Sequence, residues 1–197
     1  MRHAAALWAA LAGASFWEAK PPAEWSKEEL AELLSDSPWA RPAIAERGIP
    51  AGGVQTFLPN ARPIQEALAE RKRRGKKQGG EETEPEPDDY EEFLQEHADR
   101  SIVLAVAFPD FNQLADAKEA ARMERDCVMR VGKRKHRLLG HFPPTPRDPY
   151  LRLVFPRDVT PRDKKITFEL YLPGVISPFR ETEYVVKELL YRGKLEL

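Results

Sequence analysis

Three pieces near the carboxyl end decide the fold: LRLVFPRD (151–158), KKITFELYLPG (164–174) and ETEYVVKELLYRGKLEL (181–197). Each is rich in β-branched and aromatic residues, and Pro, Gly or Asp mark the breaks, which predicts short strands joined by turns. Leu151, Leu153 and Phe155 alternate with Arg152 and Val154; Ile166, Phe168, Leu170 and Leu172 alternate with Thr167, Glu169 and Tyr171. A period of two turns one face of a sheet toward a core. Asp158–Asp163 is the turn between these runs. Tyr184–Leu190 fits a strand or a helix, Arg192-Gly193 reads as a turn, and Leu195 and Leu197 close the chain on a strand.

Further toward the amino end, SIVLAVAF (101–108) is almost continuously apolar and reads as a central strand buried on both faces. Val54–Leu58 is a shorter strand, and Ile44–Gly53 before it is loop-like. Cys127–Val131 reads as another strand, Gly132–Arg137 as a basic turn. Pro143, Pro144, Pro146 and Pro149 make an extended connection into the final block.

Helices fill the intervals. Ser26 and Glu29 form a capping box, with Trp25 and Leu30 as its hydrophobic staple. Leu30, Leu33 and Leu34 share a face, and Pro38 disfavours a helical residue before it. A second helix starts near Pro63, carries Ile64, Ala67 and Leu68 inward, sets Arg71–Arg74 in its last turn and ends at Gly75. Tyr90, Phe93, Leu94 and His97 form one face of a third. Asn112 caps a fourth, with Leu114, Ala117 and Ala121 inward. The fold class is α+β, a mixed or mainly antiparallel sheet with several short helices packed on one side.

The chain has 197 residues, 42% hydrophobic and 32% charged, with a net charge of -1. That is enough for one domain with a real core, and the balanced charge exerts no strong pull toward nucleic acid or membrane. The basic cluster Arg71–Lys77 runs into Glu81, Glu82, Glu84, Glu86, Asp88 and Asp89 with prolines between them, so residues 75–88 read as a disordered charged loop. No aromatic residue interleaves with the basic cluster to stack bases, and nucleic-acid binding is not expected.

The first fourteen residues read as a signal peptide: Arg2, an apolar stretch Ala4–Ala12, and Ala12-Gly13-Ala14 as the small-x-small site that leaves Ser15 first. Residues 15–197 form the single domain. No segment is long enough to cross a membrane. Cys127, the one cysteine, has apolar neighbours and reads as a buried core thiol.

No catalytic, cofactor-binding or metal-binding residue is assigned. His136 and His141 are five apart across Gly140, a poor ligand spacing, and read as polar loop residues; His97 reads as half-buried packing. Gly52-Gly53 lacks the rest of a phosphate loop, and G-x-S-x-G is absent from the sequence.

Several stretches resemble a group of short exported bacterial proteins of unassigned function. They are FWEAKP (16–21), Trp25-Ser26, Leu33-Leu34, DSPWA (36–40), Phe155-Pro156-Arg157, DKKI (163–166) and YRGKLEL (191–197). The resemblance implies export and a shared architecture and transfers no site. The expectation is a periplasmic or secreted, soluble, non-catalytic module of the cell envelope that binds a protein or an envelope component. The alternatives are a hydrolase with a site assembled from scattered residues, and a nucleic-acid binder using Arg71–Lys77 and Lys133–Arg137.

Overall fold

A computed structural model describes residues 15–45, 52–77, 89–108, 114, 116–145 and 148–197. The helices are α1 (Phe16–Ala19), α2 (Lys27–Ser35), α3 (Arg62–Lys77), α4 (Asp89–His97) and α5 (Ala117–Asp126). The strands are β1 (Ala40–Ala45), β2 (Val54–Phe57), β3 (Ser101–Ala107), β4 (Val128–Val131), β5 (Arg134–Arg137), β6 (Gly140–Phe142), β7 (Tyr150–Pro156), β8 (Lys165–Tyr171), β9 (Phe179–Val185), β10 (Leu190–Tyr191) and β11 (Lys194–Leu195).

The α+β architecture holds, and every strand pairing is antiparallel. Nine strands lie in the order β5-β4-β8-β9-β1-β2-β3-β7-β6. The two ends of that order are neighbours in the chain, separated only by Leu138 and Leu139. β5 and β6 are therefore one bent run that pairs with β4 in its first half and β7 in its second. The sheet curls until its ends meet, which removes the long free edges that an open sheet would present. Phe155 on β7 and Phe168 on β8 accordingly stack with ring centroids 5.3 Å apart, although other strands separate them in the order.

The alternation read from the carboxyl end supplies the interior. Leu151, Leu153 and Phe155 pair in register with Val106, Leu104 and Ile102. Ile166, Phe168 and Leu170 join them inside, all buried. Tyr184 is fully buried; its hydroxyl meets Thr56 Oγ1 at 2.8 Å, and Thr56 donates onward to the Arg41 carbonyl at 2.7 Å. That chain satisfies a polar group that would otherwise be costly inside. Burial pushes the Tyr184 phenol well above its ordinary range.

α2 forms as expected: Glu29 N donates to Ser26 Oγ at 3.0 Å, Ser26 N donates to Glu29 Oε2 at 2.7 Å, and Trp25 and Leu30 are both buried. Together with α3 it closes onto a layer holding Leu33, Trp39, Ile64, Leu189 and Tyr191. α4 lies apart on the outer face of the sheet, where Tyr90, Phe93 and Leu94 pack with Val103, Val154 and Phe142. α5 is capped by Asp116, which accepts from Lys118 N at 2.8 Å; the side chain it buries is Met123, whereas Ala117 and Ala121, expected inward, are exposed and Leu114 precedes the helix. The Asn112 cap, the leader 1–14 and the acidic stretch 78–88 lie outside the described residues.

Four local expectations are corrected. Ile44 and Ala45 are strand, not loop. Pro42 conceals β1, because proline argues against a central strand. It is tolerated because β1 pairs with β9 only at Ile44 and Ala45, so at Pro42 the strand is paired on one side alone. Gly53 completes the fit: a Cβ there would lie 2.7 Å from Pro42 Cβ. Next, α3 continues through Gly75 to Lys77, since an exposed glycine costs a helix only about 1 kcal/mol. Third, residues 134–137 are the strand β5 after a tight Gly132-Lys133 turn, with Gly132 at φ 62°. Last, His136 and His141 are not loop residues: they sit in β5 and β6.

Candidate interaction face

The outer surface of β5, β4, β8, β9 and β1 is where unpaired charge and exposed apolar side chains meet. Register fixes what stands beside what. One row across the strands runs Arg137, Val128, Glu169, Glu181, Ile44; the next runs Lys135, Arg130, Thr167, Glu183. The face is basic on β5 and β4 and acidic on β8 and β9. Glu169 and Glu181 stand directly opposite each other, a like-charge pairing that does not help the sheet. Arg130 pairs with Glu169, and Lys165 with Glu183, each carboxylate holding its cation's pKa up. Lys135, Arg137 and Glu181 form no ion pair among the described residues.

A groove of about 440 Å³ crosses this face. Val128 and Phe179 are the apolar side chains of its lining, while Leu170 turns its own into the core; Lys135 stands on β5, and Glu169 and Glu181 on β8 and β9. Beside it three large apolar side chains face solvent: Ile176 at 80% exposure, Ile44 at 61% and Phe179 at 43%. Ile44 is the register partner of Glu181, and Phe179 lies two residues before Glu181 on the same face of β9, so the two are diagonal neighbours.

Arg180 holds the margin of the groove. It is only 4% exposed, yet its guanidinium meets no carboxylate among the described residues. Nε donates to the Ser177 carbonyl at 3.1 Å, Nη2 to Ile176 at 2.7 Å, and Nη1 to Gly52 and, at 3.5 Å, Ala43. One buried cation thus ties the 174–178 turn to the β1–β2 end of the sheet. Ser177 takes a positive φ of 57° within that turn, a conformation a non-glycine residue adopts at a cost. Ile176 is presented on a held turn.

The other side is closed by α5. Asp126 accepts from Arg125 Nε at 2.8 Å and lies 3.5 Å from Arg122, which keeps its carboxyl below the ordinary range. Arg122 also donates to the Tyr171 hydroxyl at 3.0 Å, and that hydroxyl donates to Glu119 at 2.6 Å; the bond to Glu119 holds the phenol up.

Other clusters are spent within the fold. On α3, Arg73 and Arg74 both bind the buried Glu70, and the Arg73 bond draws that carboxyl down to about 2. Arg74 further donates to the Trp25 carbonyl at 2.6 Å. Arg134 bridges Asp158 and Asp163, and His136 Nε2 sits 3.2 Å from Asp158, sealing the rim where β5 leaves the sheet. A histidine beside a carboxylate can orient a base, but the hydroxyl in that network, Thr160 Oγ1, donates to Asp163. His141 pairs with Glu124 at 3.2 Å, and His97 packs on the Phe93 ring. Under α4, Arg152 lies 3.9 Å over the Tyr90 ring and donates twice to Asp148, so the hollow there of about 240 Å³ already contains its own cation. Cys127 is buried; loss of water pushes its thiol up to about 12.

Of the two basic stretches singled out in the sequence, only 133–137 contributes to the face, through Lys135 and Arg137. Nothing local in the sequence marks Glu169, Ile44, Phe179, Ile176 or Arg180 as site residues. The outward alternation of Glu181 and Glu183 is a visible signal; their position beside β4 and β5 is not. Among the described residues no group of three His, Cys, Asp or Glu side chains is placed to hold a metal ion, and no helix is long and apolar enough to cross a membrane.

No protein-family model, curated protein or solved structure matches the chain.

Proposed function

We propose that the protein is an exported, soluble, non-catalytic interaction module of the bacterial envelope, and that it binds a protein through the outer face of β4, β8 and β9. The observation carrying this is the apolar trio Ile44, Ile176 and Phe179, rimmed by free charges of both signs and held by a buried arginine. An apolar centre with a polar rim is the anatomy of a protein interface. Export is supported by the leader pattern in residues 1–14. It also fits the start of the domain: Phe16 and Trp17, just beyond Ala14-Ser15, pack edge-on against Trp25 and Trp39, so processing there leaves this aromatic contact intact.

The test is performed in the native cell. Phe179 is replaced by a photoreactive phenylalanine analogue, with the same analogue at exposed Lys187 as control, and cell fractions are irradiated and analysed by mass spectrometry. The expected result is a mature chain beginning at Ser15 in the envelope or medium, with a protein crosslinked from position 179 and not from 187. A chain retaining Met1 in the cytosol removes the envelope role, and equal crosslinking from both positions removes the face.

A further inference from the structure

We propose that the groove recognises an extended segment of a partner protein whose charges are split: an acidic residue toward β5, a basic residue toward β9 and a small apolar residue between them. This rests on the reading of the face as a protein interface and names the chemistry of what it takes.

The free charges set the polarity. Lys135 stands on β5 and Glu181 on β9, and between them on β4 and β8 lie Val128 and the paired Arg130 and Glu169. Arg125 shares Asp126 with Arg122, Glu169 is engaged by Arg130 and Arg180 is buried on carbonyls, which leaves Lys135 and Glu181 as the exposed lining charges without an ion-pair partner among the described residues. β5 and β9 are three strand intervals apart, about 14 Å across the sheet, and Lys135 and Glu181 are offset by one row along it, a distance their long side chains span. In an extended peptide, residues i and i+4 point the same way and are about 13 Å apart, and i+2 points with them. Such a segment crossing the strands obliquely places an acidic residue at Lys135, a basic one at Glu181 and its small middle side chain over Val128, beside the Arg130–Glu169 pair that needs no further partner. A peptide with one sign of charge would gain one end and be repelled at the other.

Three blocked pentapeptides decide the matter: acetyl-DAVAK-amide, acetyl-DAVAD-amide and acetyl-KAVAK-amide, titrated at millimolar concentration into the isotope-labelled mature chain. Binding is read from amide shifts at Val128, Leu170 and Phe179. The wild-type protein is expected to prefer DAVAK over each of the others by about fivefold. Lys135→Glu is expected to move the preference to KAVAK, and Glu181→Lys to move it to DAVAD. Both substitutions are at exposed positions, and an unchanged spectrum away from the groove shows that each variant is folded. A switch of preference cannot be produced by mere destabilisation. Equal binding of the three peptides, no shift at millimolar concentration, or preferences unmoved by both reversals would overturn the proposal. If crosslinking at Phe179 still identifies a partner in those cases, the interface stands and only its charge polarity falls; if crosslinking fails too, both fall.

Discussion

Arg180→Met tests whether the margin of the groove is held as the geometry requires. The substitution keeps the length of the stem and removes every donor. Three carbonyls, of Ile176, Ser177 and Gly52, lose a charged partner, and the contact to Ala43 at 3.5 Å is too long to count for much. A hydrogen bond to a charged group contributes about 1.5–3 kcal/mol. Two opposing effects reduce the sum. Ile176 and Ser177 belong to a surface turn where water can replace the guanidinium, and removing a buried cation without a counter-ion recovers part of its desolvation cost. The net loss is about 2–3 kcal/mol, which for a chain of this size corresponds to a fall of about 4–12 °C in Tm. Urea unfolding gives the free energy, and amide hydrogen exchange gives the location. Exchange should quicken in 174–180 and at Gly52–Val54 before it changes in β3 or β7. A variant within about 0.5 kcal/mol of wild type, with exchange in 174–180 unaltered, would refute the claim that this arginine holds the turn.

Four further outcomes follow from the same structure. Glu70 has a folded-state pKa of about 2, lowered from 4.5, so its contribution is present above pH 4.5 and is lost as pH falls toward 2; Glu70→Gln should flatten acid unfolding in that window by about 1–2 kcal/mol after allowance for solvent screening at the half-exposed arginines. Cys127, with its thiol pushed up to about 12, should resist a thiol-reactive dye at pH 8 in the native protein and react within minutes in urea; equally fast reaction in both would contradict its burial. Phe168→Ala, which removes a ring stacked between Phe155 and Tyr184, should cost about 3–5 kcal/mol in chemical denaturation. Ile176→Asp, at a position 80% exposed, should leave stability within about 0.5 kcal/mol while abolishing crosslinking from Phe179.

Much of the fold could be read residue by residue. The Ser26–Glu29 box and the alternations at 151–155 and 166–172 are local signals, and each formed the element its spacing required. β1 could not be read, because Pro42 is acceptable only once the β1–β9 pairing ends at Ile44 and Gly53 makes room. β5 could not be read either, because Arg134-Lys-His-Arg137 carries no apolar alternation; its inward residues find Asp158 and Asp163 instead of a core. The candidate face was hidden for a related reason. Glu169 and Glu181 are twelve positions apart in sequence and adjacent only through the register of β8 with β9.

The sequence by itself determined the α+β class, the inward-facing residues of β3, β7 and β8, and the burial of the lone thiol, since these follow from side-chain period and from neighbours along the chain. Tertiary structure alone decided that the sheet closes through a bent β5–β6 run, that Arg73 and Arg74 are spent on Glu70 while Lys135 remains free, and that opposite charges flank one groove. Those properties depend on which strands become neighbours. Strand order is set by the packing of the whole core, and no local stretch of residues encodes it.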